Sequence, residues 1–546
     1  KAIITSALPY ANGEIHLGHV ASTYLPADVT TRFLKQKGVE AYYICASDDF
    51  GTPILIQSEK EGKTPEEYVE YWNKRDAEDF AAFDIEFDLF YKTSSLENRQ
   101  FVQDVFKKLE HAGHIYESEI IQFYCNKDKK FLPDRYVIGT CPYCKAMEQY
   151  SDLCEKCGRV PEEIENPHCS ICGGTPVKEK TMHYFFKLKN FSDKLSEYLD
   201  GNQNLQKDVK KYVQNWIKEG LTDWDITRDI SWGVSVPVDG VNDKVFYGWF
   251  DNHICYISST LLFLENKNIN GKEFWNNSTI YHYIGKDIVY HHYLFLSAMR
   301  MAINEEYKLP EFIPTRGHLM LQGEKFSKSR GWYIGLRDFL NEFPADYLRF
   351  YLARITPFNQ SDVNFDWNDF EVKINNELVA NIGNFIHRTL SFIESNYDCI
   401  IPEPKEYNKD DQDFLNKIKN ANESVTEHLE KNETDKGIIS ILNFSDYCNQ
   451  YFQKREPWKN EESKNTTLYL SANAVLSLSI LLLPYIPYSI NKLLTNLNIE
   501  QNKINWKTNT ELIIKPGHKI NKPKILFKKI EKELIDKQKT RLGKKK

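Results

Sequence analysis

SALPYANGEIHLGHVAS, residues 6–22, decides how the chain is read. The residues leading into it, Lys1 to Ala7, are short, apolar and β-rich (Ile3, Ile4, Thr5), and predict a strand. Pro9 and the Asn12-Gly13 pair mark a tight turn, since both residues of Asn-Gly accept positive φ at little cost. A helical pattern opens at about Glu14, an acidic residue where the helix dipole is positive. His16 and His19 stand three apart, so on a helix they share a face, and Gly18 between them lets a ligand approach the backbone. Free N–H groups and two imidazoles at a helix start, directly after a strand, describe a phosphate site. A pair of surface histidines is the plainer alternative at this point.

Working outward, the helix runs to about Lys37, with a kink or restart expected at Pro26. Gly38 closes it, and the apolar run Tyr42 to Ala46 is a second strand. Strand–helix–strand units of this kind build parallel α/β sheets. The second strand runs into Asp48, and in open parallel sheets the carboxyl ends of strands border the ligand crevice. Asp48 can therefore meet a substrate cation there, or it can cap the next helix.

The 546 residues suffice for about three or four domains. With 41% hydrophobic, 14% aromatic and 27% charged residues, the composition is that of a globular enzyme and not of a disordered or fibrous chain. No signal peptide is visible, because the chain opens inside a core strand, and the cytoplasm is the expected compartment. The longest apolar run, Val475 to Tyr488, is too short and too interrupted to span a bilayer and reads as a buried helix. Net charge is −7, but residues 515–546 carry thirteen Lys/Arg against three Asp/Glu. Such a basic tail serves RNA or is simply a solvated end.

Seven of the eleven cysteines lie between Cys125 and Cys172. Cys141-Pro-Tyr-Cys144 and Cys154-Glu-Lys-Cys157 form two knuckles whose spacing suits one tetrahedral structural zinc. Cys169-Ser-Ile-Cys172 is a third knuckle, and Cys125 with Asp128 is the upstream candidate to complete a second site. Residues from Pro65 to Ala112 look helical. From about Gly113 to Met182 the chain reads as a module inserted into the sheet domain. Strand-like pieces return at Lys244–Phe250, at Ile280–Ile284 before Gly285-Lys286-Asp287, and at Phe312–Leu321. The last leads into a glycine-bounded basic loop, Lys325-Phe326-Ser327-Lys328-Ser329. Helical patterns then cover Phe370–Asn396, Lys409–Lys431, Thr434–Gln453 and Thr467–Leu483, which predicts an all-α bundle.

His16-Leu17-Gly18-His19 after the first strand and Lys325 to Ser329 after the last resemble the two signatures, HIGH and KMSKS, of class I aminoacyl-tRNA synthetases. Within that class the chain resembles the methionyl-tRNA synthetase family, through Ala7 to Gly13, Phe131 to Arg135, the knuckles, Gly285 to Asp287, Asn384 to Arg388 and Glu456-Pro457-Trp458. The resemblance implies a Rossmann-type parallel-sheet catalytic domain interrupted by a zinc-knuckle insertion and followed by a helical anticodon-binding domain. Its implied segments are 1–112 and 218–315 for the catalytic halves, 113–217 for the insertion, 316–368 for the signature-loop region and 369–546 for the helical domain.

The resemblance also implies residue roles. His16, Gly18, His19, Gly285, Asp287, Lys325 and Lys328 would bind ATP, with His16, His19, Lys325 and Lys328 stabilising the transition state. Asp48 would take the methionine ammonium; Leu8, Tyr10, Arg228, Trp249, Tyr256, Ile288 and His292 would line the amino-acid site. Asn384, Arg388, Pro457 and Trp458 would read the anticodon. The partners implied are methionine, ATP with Mg2+, and initiator and elongator methionine tRNAs, with one structural zinc or two and a monomeric assembly. Three departures stand out: Phe326 replaces the usual methionine of the second signature, Phe50 replaces a residue that is commonly His or Tyr, and Asn252-His253 replace Ala-Pro beside the amino-acid pocket. The expectation for Asn252 and His253 is that they turn away from the slot and bond to backbone. A class I nucleotidylyltransferase also uses an H-x-G-H pair, and a non-catalytic zinc-bearing RNA-binding paralogue would need the helical residues alone. The second lysine loop and the helical bundle speak against the former, and the intact signatures against the latter.

Overall fold

Ala2–Ser6 is buried at every position because it is the middle of five strands. In spatial order these are Thr315–Arg316, Thr279–Gly285, Ala2–Ser6, Ala41–Ser47 and Leu89–Lys92, each pair parallel. A parallel sheet covered by helices on both faces needs strands without an alternating polar face, and AIITS has none. The computed structural model describes the chain apart from residues 152, 153, 155, 158, 160, 305, 328, 329, 545 and 546 and the side chains of Asp134 and Thr510. The edge strand Leu89–Lys92 falls inside the stretch expected to be helical. It is four residues long and half-buried, between helices Pro65–Ala82 and Leu96–His111, too short to break their periodicity.

The first helix begins at Leu17 and not at Glu14, because His16 is its cap and Glu14 accepts a hydrogen bond from Tyr333 Oη instead. A π-helical turn, Val20–Tyr24, precedes the helix Leu25–Gln36. Pro26 sits in the first turn of that second helix, where a missing N–H costs least.

The inserted region is organised by a long antiparallel ribbon, Ile115–Cys125 against Val177–Phe186, with the cysteine knuckles at its far end. Its sheet continues into Trp224–Asp225, past residue 217. His183 ties the ribbon to the segment after that strand, its Nδ1 facing Asp225 and its Nε2 facing Asp229, each at 2.8 Å. Burial pushes this imidazole down, but the two carboxylates win and hold its pKa above the ordinary value. Of the run Lys244–Phe250, Val245–Phe246 alone is strand, paired with Thr227–Arg228. At Gly248 the chain turns into helix Gly248–Asn266 instead of continuing as strand.

After the sheet domain, Leu319–Leu321 pairs with Glu324–Lys325 as a hairpin and with Val363–Phe365 in parallel. The bundle comes next. Trp367–Lys373, the π segment Ile374–Gly383 and Asn384–Tyr397 form one continuous helical run. The expected helix Lys409–Lys431 is two helices, Lys409–Lys419 and Ala421–Glu430, broken at Asn420. Thr434–Arg455 and Glu461–Leu482 complete the long pairs, the latter starting early because the Asn460 side chain accepts the Ser463 N–H. This last helix is apolar enough to cross a membrane, but 94% of its most apolar window is buried in the bundle.

Bundle and sheet domain meet on buried arginines. Arg349, fully buried, pairs with Asp28 at 2.6 Å and donates to the carbonyls of Asp84, Pro484 and Tyr485. Removing one partner of such a pair costs about 3–5 kcal/mol. Arg316 donates to the Asn432 carbonyl in the same way. The basic terminal stretch is not a solvated end: Ile520, Phe527, Ile530 and Ile535 are buried while most of its described lysines face outward. Arg541 pairs with Glu342, and the Gly543 N–H donates to the Gly331 carbonyl beside the second signature. Gly331 has φ +64°, and a Cβ there would lie 2.8 Å from the Lys544 carbonyl.

Candidate active site

The carboxyl ends of the central strands open into a cleft of about 660 Å3. Leu8 and Tyr10 reach it from the turn after the first strand, Asp48 from the end of the second, and Gly285, Asp287 and Ile288 from the end of Thr279–Gly285. Trp249, Asn252 and Tyr256 come from one face of helix Gly248–Asn266, at spacings of three and four residues that keep them in line. Gly18 and His19 enter from the first helix, and Arg228 from the opposite wall. Eleven of the expected site residues thus share one cavity. Arg135 and His318 line it as well. His318 Nε2–H donates to Asp287 Oδ1 at 3.1 Å. Partial desolvation at the cleft mouth pushes the Asp287 carboxyl, itself exposed, up, but this bond prevails and holds it below the usual range. An isolated histidine in a β-like run gave no sequence signal for that contact.

The first signature is more tightly bonded than expected. His16 caps the helix: its Nδ1 accepts the Gly18 N–H at 3.1 Å, and its own N–H donates to His19 Nδ1 at 3.2 Å. Leu17 N–H donates to the Ile334 carbonyl and His19 N–H to the His16 carbonyl. The first-turn N–H groups are therefore not free. What the arrangement offers an anion is the Nε2–H side of two imidazoles, since both accept at Nδ1. The rings stack at 3.7 Å between centroids, and Phe326 stacks on His16 at 5.0 Å. The two signatures thus touch through three rings, with His16 in an adjoining cavity of about 300 Å3 beside His19, Phe326 and Ser327. Gly18 lets this packing close tightly, because a Cβ would lie 3.0 Å from His16 Cε1 and press the imidazole aside. Lys325 is exposed on the hairpin Glu324–Lys325 and does not line the cleft. Lys328 lies outside the described residues.

At the amino-acid end, His292 is not on the wall but behind it. It is fully buried, its Nδ1–H donating to the Ile288 carbonyl at 3.1 Å and its Nε2 accepting from Tyr256 Oη at 3.0 Å. Burial pushes its pKa down to about 3, so it is a neutral brace for Tyr256. Asp48 does not cap the next helix, whose cap residue Gly51 makes no side-chain bond. Its Oδ2 accepts from Asn252 Nδ2 at 2.8 Å. This corrects the expectation for Asn252, which faces the cleft and a carboxylate instead of backbone. His253 does turn away, buried among Trp249, His292 and Phe295, yet neither ring nitrogen has a hydrogen-bond partner among the described residues.

Two cysteine groups converge in the insertion: Cys141, Cys144, Cys154 and Cys157, and Cys125, Asp128, Cys169 and Cys172. In the first, sulfurs of Cys141 and Cys157 are 3.8 Å apart and those of Cys144 and Cys154 3.6 Å. Zinc–sulfur bonds of about 2.3 Å at tetrahedral angles require that spacing. In the second, Asp128 Oδ2 lies 3.1 Å from both Cys125 and Cys169 sulfurs, a three-sulfur, one-oxygen donor set. On the bundle, Asn384 and Arg388 stand one turn apart, and the Arg388 guanidinium lies over the Trp458 ring at 5.5 Å. Trp458 is half-buried and Asn384 exposed, whereas Pro457 is buried and presents no face.

Residues 2–390 match the family profile "tRNA synthetases class I (M)", and residues 401–546 match "Anticodon binding domain of methionyl tRNA ligase". The chain is 43% identical to a methionine–tRNA ligase of Methanopyrus kandleri, over 99% of this chain and 82% of that protein. It is 41% identical to one of Methanocaldococcus jannaschii, over 99% and 81%. Among solved structures, Mycobacterium tuberculosis methionyl-tRNA synthetase in complex with methionyl-adenylate shares the fold, with a TM-score of 0.81 at 24% identity over 96% of this chain and 99% of that one.

Proposed function

The chain belongs to the methionyl-tRNA synthetases of class I, and from that premise we propose that it activates methionine with ATP and transfers it to methionine tRNAs, initiator and elongator. The observation that carries this reading is the shared cleft. A half-buried carboxylate, Asp48, stands in it beside a mostly apolar slot of Leu8, Tyr10, Trp249, Tyr256 and Ile288, with His19, Gly18 and Asp287 lining the same cavity.

In the first step a methionine carboxylate oxygen attacks the α-phosphorus of ATP. The new O–P bond replaces the bridge to the β-phosphate, and pyrophosphate leaves with the electron pair. Negative charge builds on phosphoryl oxygens, and donors already in place stabilise it without reorganisation. His16 and His19 supply Nε2–H donors, and Lys325 and Lys328 of the second signature would add cations. Arg228 offsets the repulsion between two anionic reactants and favours their alignment. ATP enters with Mg2+. In the second step a hydroxyl of the terminal adenosine attacks the activated carbonyl, and AMP leaves. Asn384, Arg388 and Trp458 would stack and hydrogen-bond unpaired anticodon bases. Each cysteine group fits a structural zinc; a closed four-ligand site supplies shape and no chemistry. The family relationship supports a cytoplasmic enzyme, and we propose that it acts as a monomer.

ATP–pyrophosphate exchange with each of the twenty amino acids tests this reading. Methionine should be activated best, with leucine, isoleucine and valine well below it, because β-branched chains meet the ring walls. Preference for another amino acid overturns the specificity, and no exchange with any of them overturns the reaction.

A further inference from the structure

Asp48 occupies the floor of the cleft, where burial, with Asp49 adding a like charge, pushes its carboxyl up to about 7. A carboxyl in that range is only partly ionised at neutral pH, and its neutral form does not pair with an ammonium. Helix Gly248–Asn266 brings the Asn252 amide against it, Nδ2 to Oδ2 at 2.8 Å, and both side chains line the cavity. A donor to the charged form favours that form. The other oxygen, Oδ1, has a long 3.5 Å contact from the Phe50 N–H.

We propose that Asn252 is a positioning residue for Asp48, its amide holding one carboxylate oxygen fixed and leaving the other for the ammonium of the substrate. This rests on the functional reading above and deepens it. Asp49 on its own segment and Asp251 and Tyr256 on the helix that carries Asn252 are coupled to this carboxyl, and Tyr10, His19, Arg135, Arg228, Asp287 and His318 line the other walls of the cavity. Burial raises the Asp251 and Tyr256 pKa values well above their ordinary ranges, which disfavours a charge on either. Arg228 is paired with Asp225, and Asp287 with His318. The side chain that offsets the burial of Asp48 is Asn252.

Without the amide, Asp48 ionises at higher pH, and methionine binding at neutral pH weakens. In Asn252→Ala, the methionine KM in the exchange reaction should rise about tenfold at pH 7, the size expected of a hydrogen bond to a charged group. The defect should shrink toward wild type by about pH 9, while kcat and the ATP KM stay within about twofold. Asn252→Ser, which keeps a donor, should recover most of the loss. In the free full-length protein, carbon NMR of labelled aspartates, with the Asp48 signal assigned by its loss in Asp48→Asn, should show its midpoint about one unit higher in Asn252→Ala. An unmoved midpoint, or methionine and ATP KM values that rise together at every pH, overturns the proposal. If wild type gives no methionine-dependent exchange while the midpoint still moves, the functional reading falls and the Asn252–Asp48 pairing stands.

Discussion

Phe326 places an aromatic ring flat on His16, which in turn lies on His19. Stacked ring pairs are worth about 0.5–1.5 kcal/mol beyond their burial, so the ring holds the histidine pair in line. Phe326→Ala should therefore lower the exchange rate by roughly 2- to 12-fold with the methionine KM unchanged; Phe326→Met, a side chain that packs well on aromatic edges, should recover most of it. Equal rates for Phe326→Ala and wild type would show that the stack contributes nothing. Asp48 was legible in the cleft from its place at a strand end, and Trp249 and Tyr256 through the family resemblance, although the stretch holding Trp249 reads as strand and is helix. What the cleft residues touch was not legible. That Asn252 turns to Asp48, that His292 stands behind Tyr256, and that Pro457 is buried depend on how helices rotate on the sheet, and sequence spacing carries no such angle.

Among the elements, the insertion is the one whose shape rests on chemistry more than on a core. A small cluster of buried residues, Leu132, Tyr136, Val137 and Ile164 with Cys125 and Cys169, lies beneath the knuckles, too little apolar surface to fix them alone. Freshly purified protein should contain at least one zinc per chain, two if the Asp128 group also fills. Cys154→Ser should lose one equivalent and open the knuckles to protease, and wild-type protein without zinc would refute the assignment. The knuckle spacing announced this element, as the His-x-Gly-His turn announced the sheet. One short element escaped: Leu89–Lys92 owes its strand character to a neighbouring edge, not to its own pattern.

In the whole molecule, the catalytic cleft and the Arg388–Trp458 face belong to different bodies, joined by Arg349, Arg316 and the terminal strap. Their functions should separate on mutation. Trp458→Ala should weaken tRNA charging about tenfold or more, as loss of one base stack does, and leave ATP–pyrophosphate exchange unchanged. Loss in both assays would place Trp458 in the packing of the bundle and not at a tRNA surface. The bundle was legible as a series of helical periods; the docked strap was not, because its few buried residues are spaced among lysines.

The strand pairing at the centre of the sheet also governs how the chain is made. Thr5 bonds to a residue 276 positions later in the sequence. At roughly 5–20 residues per second, tens of seconds of translation pass before that neighbour leaves the ribosome. Until then the edge of Ala2–Ser6 that will pair with it is an unpaired, largely apolar template, open to any other strand in reach. The histidine signature comes directly after that strand, so the turn that begins the chemistry is made long before the strand that sets it in place.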